Sequence, residues 1–227
     1  MMIGHLHPIT QITEQIATYF ADYGFEVVSG PELETEEYNF DKLRVSADHP
    51  ARDEQDTFYI KPGWVLRTHA TNMQLRAMET RRPPVRIISP GRVYRNEATD
   101  ATHNTTFHQL DMLVIAEDVT LAHLIGTLQG MMRHLIGDEI EFRIRPGFFP
   151  FVEPGLELDF RRPGHDWIEI LGAGMVHPEV LGNMNVDAKK YRGFAFGMGV
   201  ERLLRAMRGV DDVRESLAGD YRFLGQF

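Results

Sequence analysis

Two apolar runs, Val85 to Tyr94 and Thr106 to Ile115, stand on either side of the polar stretch Asn96-Glu-Ala-Thr-Asp-Ala-Thr-His-Asn-Thr105. No other feature constrains the fold as much. Apolar runs bounded by turn-forming residues read as strands, and a connection too polar to be a crossover helix makes the pair antiparallel. Loops of this length in compact domains usually carry function. A functional role is therefore the expectation for 96–105.

The rest of the chain extends this beginning. Pro8, then Ile9, Ile12, Ile16 and Phe20 at helical spacing, then Gly24, predict a helix from about 8 to 23. Phe25 to Ser29, closed by Gly30-Pro31, reads as a strand leaving it. Asp48 to Asp56 is too polar to bury and reads as a loop before the strand-like Thr57 to Ile60. Leu121, Leu124, Ile125, Leu128 and Met132, followed by Gly137, predict a structural helix from 118 to about 135. Short strands are expected at Glu141–Ile144, Leu156–Phe160, Trp167–Leu171 and Gly193–Met198, and a helix at Gly199–Met207. Consecutive strands joined by Pro/Gly turns give an α+β fold with an antiparallel sheet flanked by helices. Without repeats or linker-like tracts, residues 1–227 read as one domain.

Composition removes whole classes of chemistry. Zero cysteines exclude disulfide scaffolds, thiol nucleophiles and Cys-ligated zinc or iron–sulfur centres, and favour the cytoplasm. The amino terminus lacks a secretory pattern, and no window approaches the roughly eighteen apolar residues of a membrane span, so no membrane partner is expected. A formal charge of −9 argues against a general nucleic-acid coat, yet Arg76 to Arg95 holds six arginines against one glutamate, locally +5. That run is either a solvated arginine face or an anion-binding surface. Phosphate-loop, HExxH, GxSxG and EF-hand motifs are absent. Gly172-Ala-Gly174 and Gly197-Met-Gly199 lack the third glycine and the βαβ setting of a dinucleotide fold. His5 and His7 form an HxH pair without a third ligand nearby and read as structural or mobile.

Arginine, glutamate and histidine converge in Gly91-Arg-Val-Tyr-Arg-Asn-Glu97, His103 and Thr106-Phe-His-Gln-Leu-Asp111. A second cluster, Gly193-Phe-Ala-Phe-Gly-Met-Gly-Val-Glu-Arg202, combines small residues that let a ligand approach a strand with an arginine in the first turn of the next helix. Together they read as a nucleotide site. In this order they resemble the second and third motifs of class II aminoacyl-tRNA synthetases, with His7–Gln11 and Phe25–Glu32 similar to the first motif and Asp48–Asp53 with Asp56–Tyr59 similar to the block after it. Phe148-Phe-Pro-Phe-Val-Glu-Pro154 and Gly172-Ala-Gly-Met-Val-His-Pro178 narrow the resemblance to the catalytic domain of phenylalanyl-tRNA synthetase alpha subunits, over nearly the whole chain.

That resemblance implies a role for each matching residue. Arg95 would hold the ATP α-phosphate, where a two-pronged guanidinium suits the oxygens that gain charge. Arg202 would lie against adenine opposite Phe107 and reach the terminal phosphate, while Glu97 would accept from the adenine amino group and His103 would meet the phosphates. The alternative for Phe107 is an ordinary core aromatic. Phe149 and Phe151 match the aromatics around the phenylalanine ring, and Ala195 and Gly197 would line the end of its pocket. His69, Thr71, Gln109 and Asp111 match positions around the ammonium and carboxylate, and Glu153 and Glu169 are implied Mg²⁺ contacts. Implied partners are the acceptor end of tRNA(Phe) and either a second copy or a beta-type subunit through the first-motif elements.

Departures from the family pattern bear on affinity. Gln109-Leu-Asp-Met112 stands where Gln-x-Glu-Gly is usual, so the ammonium-facing carboxylate is one methylene shorter and a flexible methionine replaces glycine. Weaker substrate binding is the expectation. His69-Ala-Thr-Asn72 replaces His-Thr-Ser-Pro but keeps a hydroxyl at Thr71. No amino-terminal coiled-coil arm is expected ahead of the catalytic domain. The expected activity is ATP-dependent formation of phenylalanyl-adenylate and transfer to tRNA(Phe); the alternatives are a paralogue that activates or binds an amino acid without charging tRNA, and a non-catalytic assembly subunit.

Overall fold

A computed structural model describes residues 4–227 apart from Glu54, Thr102 and Asp211. The chain runs through α1 (Pro8–Ala21), β1 (Glu26–Val27), β2 (Leu33–Thr35), α2 (Glu36–Asn39), β3 (Tyr59–Lys61), β4 (Trp64–Leu66) and α3 (Thr71–Met78). It continues with β5 (Val85–Tyr94), β6 (Thr106–Ala116), α4 (Leu121–Ile136), β7 (Glu141–Phe149), β8 (Val152–Arg161), β9 (Ile168–Val176), α5 (Pro178–Asn183), β10 (Arg192–Gly199), α6 (Val200–Arg208) and α7 (Tyr221–Leu224). Seven strands form one sheet in the order β1-β5-β6-β10-β9-β8-β7, and β2-β4-β3 form a small second sheet. The expected antiparallel sheet is there with one exception, since β1 pairs with β5 in parallel.

Strand alternation divides the work of the large sheet between its faces. Leu110, Met112, Phe194, Phe196, Met198, Leu158 and Phe160 are buried on one face in a core shared with α1, α4 and α6. That is why Ile12, Ile16, Phe20, Leu124 and Leu128 recur at helical spacing. On the other face Ile87, Leu113, Ile115, Ala195 and Val176 are buried with residues of α3, α5 and the small sheet. Past these residues that second face is uncovered, and the site lies there.

Three helical starts share one local device. His7, His49 and His177 each accept a hydrogen bond at Nδ1 from the backbone N–H two residues on, and each is followed by a proline that opens the turn. His7 also places Nε2 2.8 Å from the Ser216 carbonyl. His7 therefore contributes a helix cap.

Several elements differ from expectation for identifiable reasons. β7 runs on to Phe149 through Pro146-Gly147, because it is an edge strand and proline is tolerated there. β9 continues through Gly172 and Gly174 to Val176 for the same length as its neighbour. β3 falls at the strand expected over Thr57 to Ile60, whereas α3, β2 and β4 had no legible periodicity; α3 buries Thr71, Asn72 and Gln74 along with Met73 and Leu75. The arginine-rich run divides among several roles, with Arg82, Arg86 and Arg92 exposed to solvent. Arg76 pairs with Glu34 at 2.6 Å, Arg81 with Glu26 at 3.0 Å, and Arg86 donates to the Tyr23 carbonyl, while Arg95 faces the site. No helix among the described residues is long and apolar enough to cross a membrane.

Candidate active site

A cavity of about 870 Å³ opens on the uncovered face, walled by Arg95, Phe107, Gln109, Gly172, Gly197 and Arg202. Its floor is strand backbone. One row across the sheet reads Ser89, Asp111, Gly197, Gly172, Glu157, Arg145, and the next reads Ile87, Leu113, Ala195, Gly174, Gly155, Gly147. A side chain at Gly172 would place Cβ 2.6 Å from the Phe149 ring, and one at Gly197 would place it 2.7 Å from Gln109 Nε2 and 2.9 Å from Asp111 Oδ1. These glycines are needed because other groups occupy the space above them.

Behind Gln109 and Gly197, an inner region beside this cavity holds buried polar atoms that lack partners among the described residues. Thr71 donates to Asp111 Oδ2 at 2.6 Å, which leaves Asp111 Oδ1 buried without a hydrogen bond among the described residues. Gln109 Oε1 and His69 Nδ1 are in the same condition. His69 Nε2 lies 2.9 Å from the Asn39 carbonyl, so that nitrogen carries the proton and Nδ1 presents a lone pair. Burial pushes the His69 imidazole down to about 4 and so keeps it neutral. Burial likewise pushes the Asp111 carboxyl up to about 7, against the Thr71 hydrogen bond and the charges of Arg67 and Arg95. Buried acceptors without donors are costly, so the arrangement favours a small ligand that brings N–H groups.

Asn39, fully buried on α2, organises this end. Its side chain donates to Thr68 Oγ1 at 3.0 Å and accepts from the Thr68 N–H and from Asn72, while its carbonyl meets His69. Phe149 and Phe151 stack with centroids 6.0 Å apart, and Phe151 lies 6.4 Å from the His69 ring. Met112 is fully buried on the helix-packed face, the side opposite Asp111. Neighbouring strand residues point to opposite faces, so the Met112 side chain does not stand beside the Asp111 carboxylate. Ala195 lies on the same sheet face as Gly197, two residues away along β10, and packs with Leu113 and Val176.

At the outer end the Arg95 guanidinium lies 5.0 Å from the centroid of Phe107, whose other contacts are Ala70, Met73 and Val93. Glu97, Arg202 and Asp111 are all within electrostatic range of Arg95. Arg202 meets Glu169 at 3.1 Å, and the other Glu169 oxygen takes Arg145 at 2.9 Å. Glu201 accepts the His108 N–H at 2.9 Å through both oxygens, pinning the start of α6 to β6. His103 lines the same cavity and lies 3.1 Å from Asp100.

The two carboxylates expected to hold Mg²⁺ do not meet. Glu153 sits beside His177 at 3.5 Å with its side chain largely exposed, whereas Glu169 pairs in register with Asp159, about 20 Å further along β8 at strand rise. Among the described residues no three metal-ligating side chains cluster. Glu169 alone stands at the cavity wall, which fits an ion held by one carboxylate plus nucleotide phosphates. Sequence reasoning missed Asn39 and Gln74, whose buried Nε2 is also unpartnered on the face of α3 that carries Thr71. Polar residues inside an otherwise apolar helix were the available signal.

Comparison with known proteins agrees with this geometry. The model for the tRNA synthetase class II core domain (F) matches residues 1–227. The chain belongs to that family. It is 49% identical over 225 residues to the phenylalanine–tRNA ligase alpha subunit of Shewanella sp. strain MR-7, covering 99% of this chain and 68% of that one. The alpha subunits of Colwellia psychrerythraea and Shewanella sediminis are 49% and 50% identical, with the same coverage. The segments that resemble the first motif fall on α1 and the residues around β1, those that resemble the second on the β5–β6 pair and its loop, and those that resemble the third on β10 and α6.

Proposed function

We propose that residues 1–227 act as the catalytic domain of a phenylalanine–tRNA ligase, joining phenylalanine to ATP as phenylalanyl-adenylate and passing it to tRNA(Phe) in the cytoplasm. The observation that carries this reading is the trio of buried, unpartnered acceptors at the inner end, Asp111 Oδ1, Gln109 Oε1 and His69 Nδ1. An α-ammonium group offers three N–H donors to three such acceptors. Phe149 and Phe151 beside them suit an aromatic side chain by edge contacts.

The chemistry follows from where charge develops. The bound carboxylate attacks the α-phosphorus, the bond to the bridging oxygen breaks, and pyrophosphate leaves with its electron pair. Arg95 would hold the oxygens that gain charge, and a rigid fork does this better than an ammonium group. Phe107 and Arg202 would hold the adenine between them, with Glu97 accepting from its amino group and His103 near the phosphates. A Mg²⁺ ion, when bound, would neutralise phosphate charge, and Glu169 would be its protein contact. Asp111 has to be ionised to hold the ammonium, and an incoming positive charge supplies the stabilisation that its burial removes.

A beta-type subunit or a second copy would pair through α1 and β1, and the acceptor end of tRNA(Phe) would enter over the 96–105 loop. ATP–pyrophosphate exchange across the twenty amino acids, with and without tRNA, tests the reading. Exchange with phenylalanine followed by tRNA charging supports it. Exchange without charging points to the paralogue, and no exchange with any amino acid removes the ligase assignment.

A further inference from the structure

Phe149 and Phe151 stand on either side of Pro150 at the tip of the hairpin that joins β7 to β8, where Phe149 pairs with Val152. A two-residue hairpin loop follows the twist of its strands when its first residue has positive φ. Proline is barred from that conformation, since its ring fixes φ near −65°. Phe151 does not supply it either, because Arg44 and Asn185 are the non-glycine residues with positive φ among the described residues. The pairing also shifts between Gly147 and Phe149. Strand twist therefore does not hold this tip in place, and other elements do.

Arg44 donates from Nη1 to the Pro150 carbonyl at 2.6 Å, and the His177 N–H donates to the Phe151 carbonyl at 3.0 Å. Arg44 Nε also donates to Glu179 in the first turn of α5 at 2.9 Å, and Asn183 at the end of that helix donates to the Lys42 carbonyl at 2.9 Å. The Arg44 backbone lies at φ 62, ψ 22, a left-handed conformation that is costly for a residue with a Cβ. Such a residue persists where the surrounding contacts over-determine it. The ion pair is a weak reason to keep it, because the Glu179 side chain is 62% exposed and pairs of that kind contribute little. The carbonyl contact is the stronger one.

The same segment reaches the other side of the amino-acid site. Asn39 accepts from the Thr68 N–H and meets His69 through its own carbonyl, and Phe40 and Leu43, between Asn39 and Arg44, are fully buried. Residues 39–44 thus join the polar inner region to the aromatic tip as one packed piece. Phe149 has little freedom on its own side, since a Cβ at Gly172 would lie 2.6 Å from its ring.

We propose that Arg44 is a positioning residue for the amino-acid pocket, holding the Pro150 carbonyl so that Phe149 and Phe151 keep the separation that an aromatic substrate ring requires. The proposal rests on the ligase reading, which puts phenylalanine against these two rings. An aliphatic side chain makes no ring-edge contacts, so loosening the tip costs phenylalanine more than leucine.

The test is ATP–pyrophosphate exchange with phenylalanine and with leucine. Arg44→Gly removes the clamp and relieves the backbone, so its Tm should stay within about 4 °C of wild type. Its phenylalanine KM should rise about tenfold, its ATP KM should stay within about twofold, and its kcat/KM ratio of phenylalanine to leucine should fall about tenfold. Arg44→Lys, which keeps one donor within reach of the carbonyl, should recover part of the loss. Glu179→Ala, which removes the ion pair alone, should leave the phenylalanine KM within about twofold. The proposal falls if Arg44→Gly keeps the wild-type phenylalanine KM or the wild-type ratio, if it raises both KM values equally, or if Glu179→Ala matches it. Each of these outcomes leaves wild-type exchange intact and the ligase reading standing. A wild type that exchanges with no amino acid removes that reading and the role of Arg44 with it.

Discussion

Substituting alanine for Gly197 would put a methyl group between the two side chains proposed to receive the substrate ammonium. Its Cβ would lie 2.7 Å from Gln109 Nε2 and 2.9 Å from Asp111 Oδ1. Ordinary contact needs roughly 3.5 Å, so each group has to retreat by about 0.7 Å. Asp111 is poorly placed to do so, because its other oxygen is fixed by Thr71 at 2.6 Å and the residue is 2% exposed. Overpacking of this kind costs about 1–3 kcal/mol, equal to about 2–4 °C of Tm per kcal/mol for a chain of this size. A displacement approaching 1 Å at the reacting groups costs up to about a hundredfold in rate or affinity. Gly197→Ala should therefore raise the phenylalanine KM about 10- to 100-fold in pyrophosphate exchange and leave the ATP KM within about twofold. A folded variant whose phenylalanine KM stays within twofold of wild type would show that the amino acid does not bind over this strand.

Asp111 and His69 should have opposing effects on pH stability: with its carboxyl held up at about 7, folded Asp111 takes up a proton and its contribution falls from pH 4 to 7, whereas His69, held at about 4, contributes more as pH rises towards 6.5. In Asp111→Asn the unfolding free energy should climb more steeply between pH 4.5 and 6.5 than in wild type, and parallel urea-derived curves would contradict this. Arg95→Ala should cost about 2–4 kcal/mol of transition-state stabilisation, and Arg95→Lys should recover little of the exchange rate; more than a tenth of wild-type exchange in folded Arg95→Ala would overturn its phosphate role. On α4, Gly126→Ala meets nothing within 4 Å and should stabilise the protein by about 0.4–1 kcal/mol, whereas Gly130→Ala meets the Tyr19 hydroxyl at 2.8 Å and should lose that gain; equal Tm shifts would refute the distinction.

Local periodicity made α1, α4 and the β5–β6 pair legible, since each buries one face against a single core. α3 was illegible because its buried face is part polar, built around Asn39, Thr68 and Asp111, and a polar network leaves no apolar rhythm. The motif residues Arg95, Phe107, Gln109, Asp111, Gly197 and Arg202 converge in space because β5, β6 and β10 are neighbours in register. Glu153 and Glu169 looked alike as isolated acids in the sequence, and only strand register separates them. The arginine run misled for a similar reason: Glu34 and Glu26, which neutralise Arg76 and Arg81, lie far away in sequence.

The glycine floor has a practical meaning for anyone who wishes to change what the pocket accepts. A surface made of main chain has no side chain left to trim, so every substitution at Gly172 or Gly197 makes the chamber shallower and none can deepen it. Room for a bulkier amino acid has to come from the sides, by shortening Phe149 or Phe151, or from beneath, where Ala195 has a single methyl to give up. The breadth of substrates reachable from this scaffold is thus limited by the spacing between strands, a dimension that point mutation does not alter.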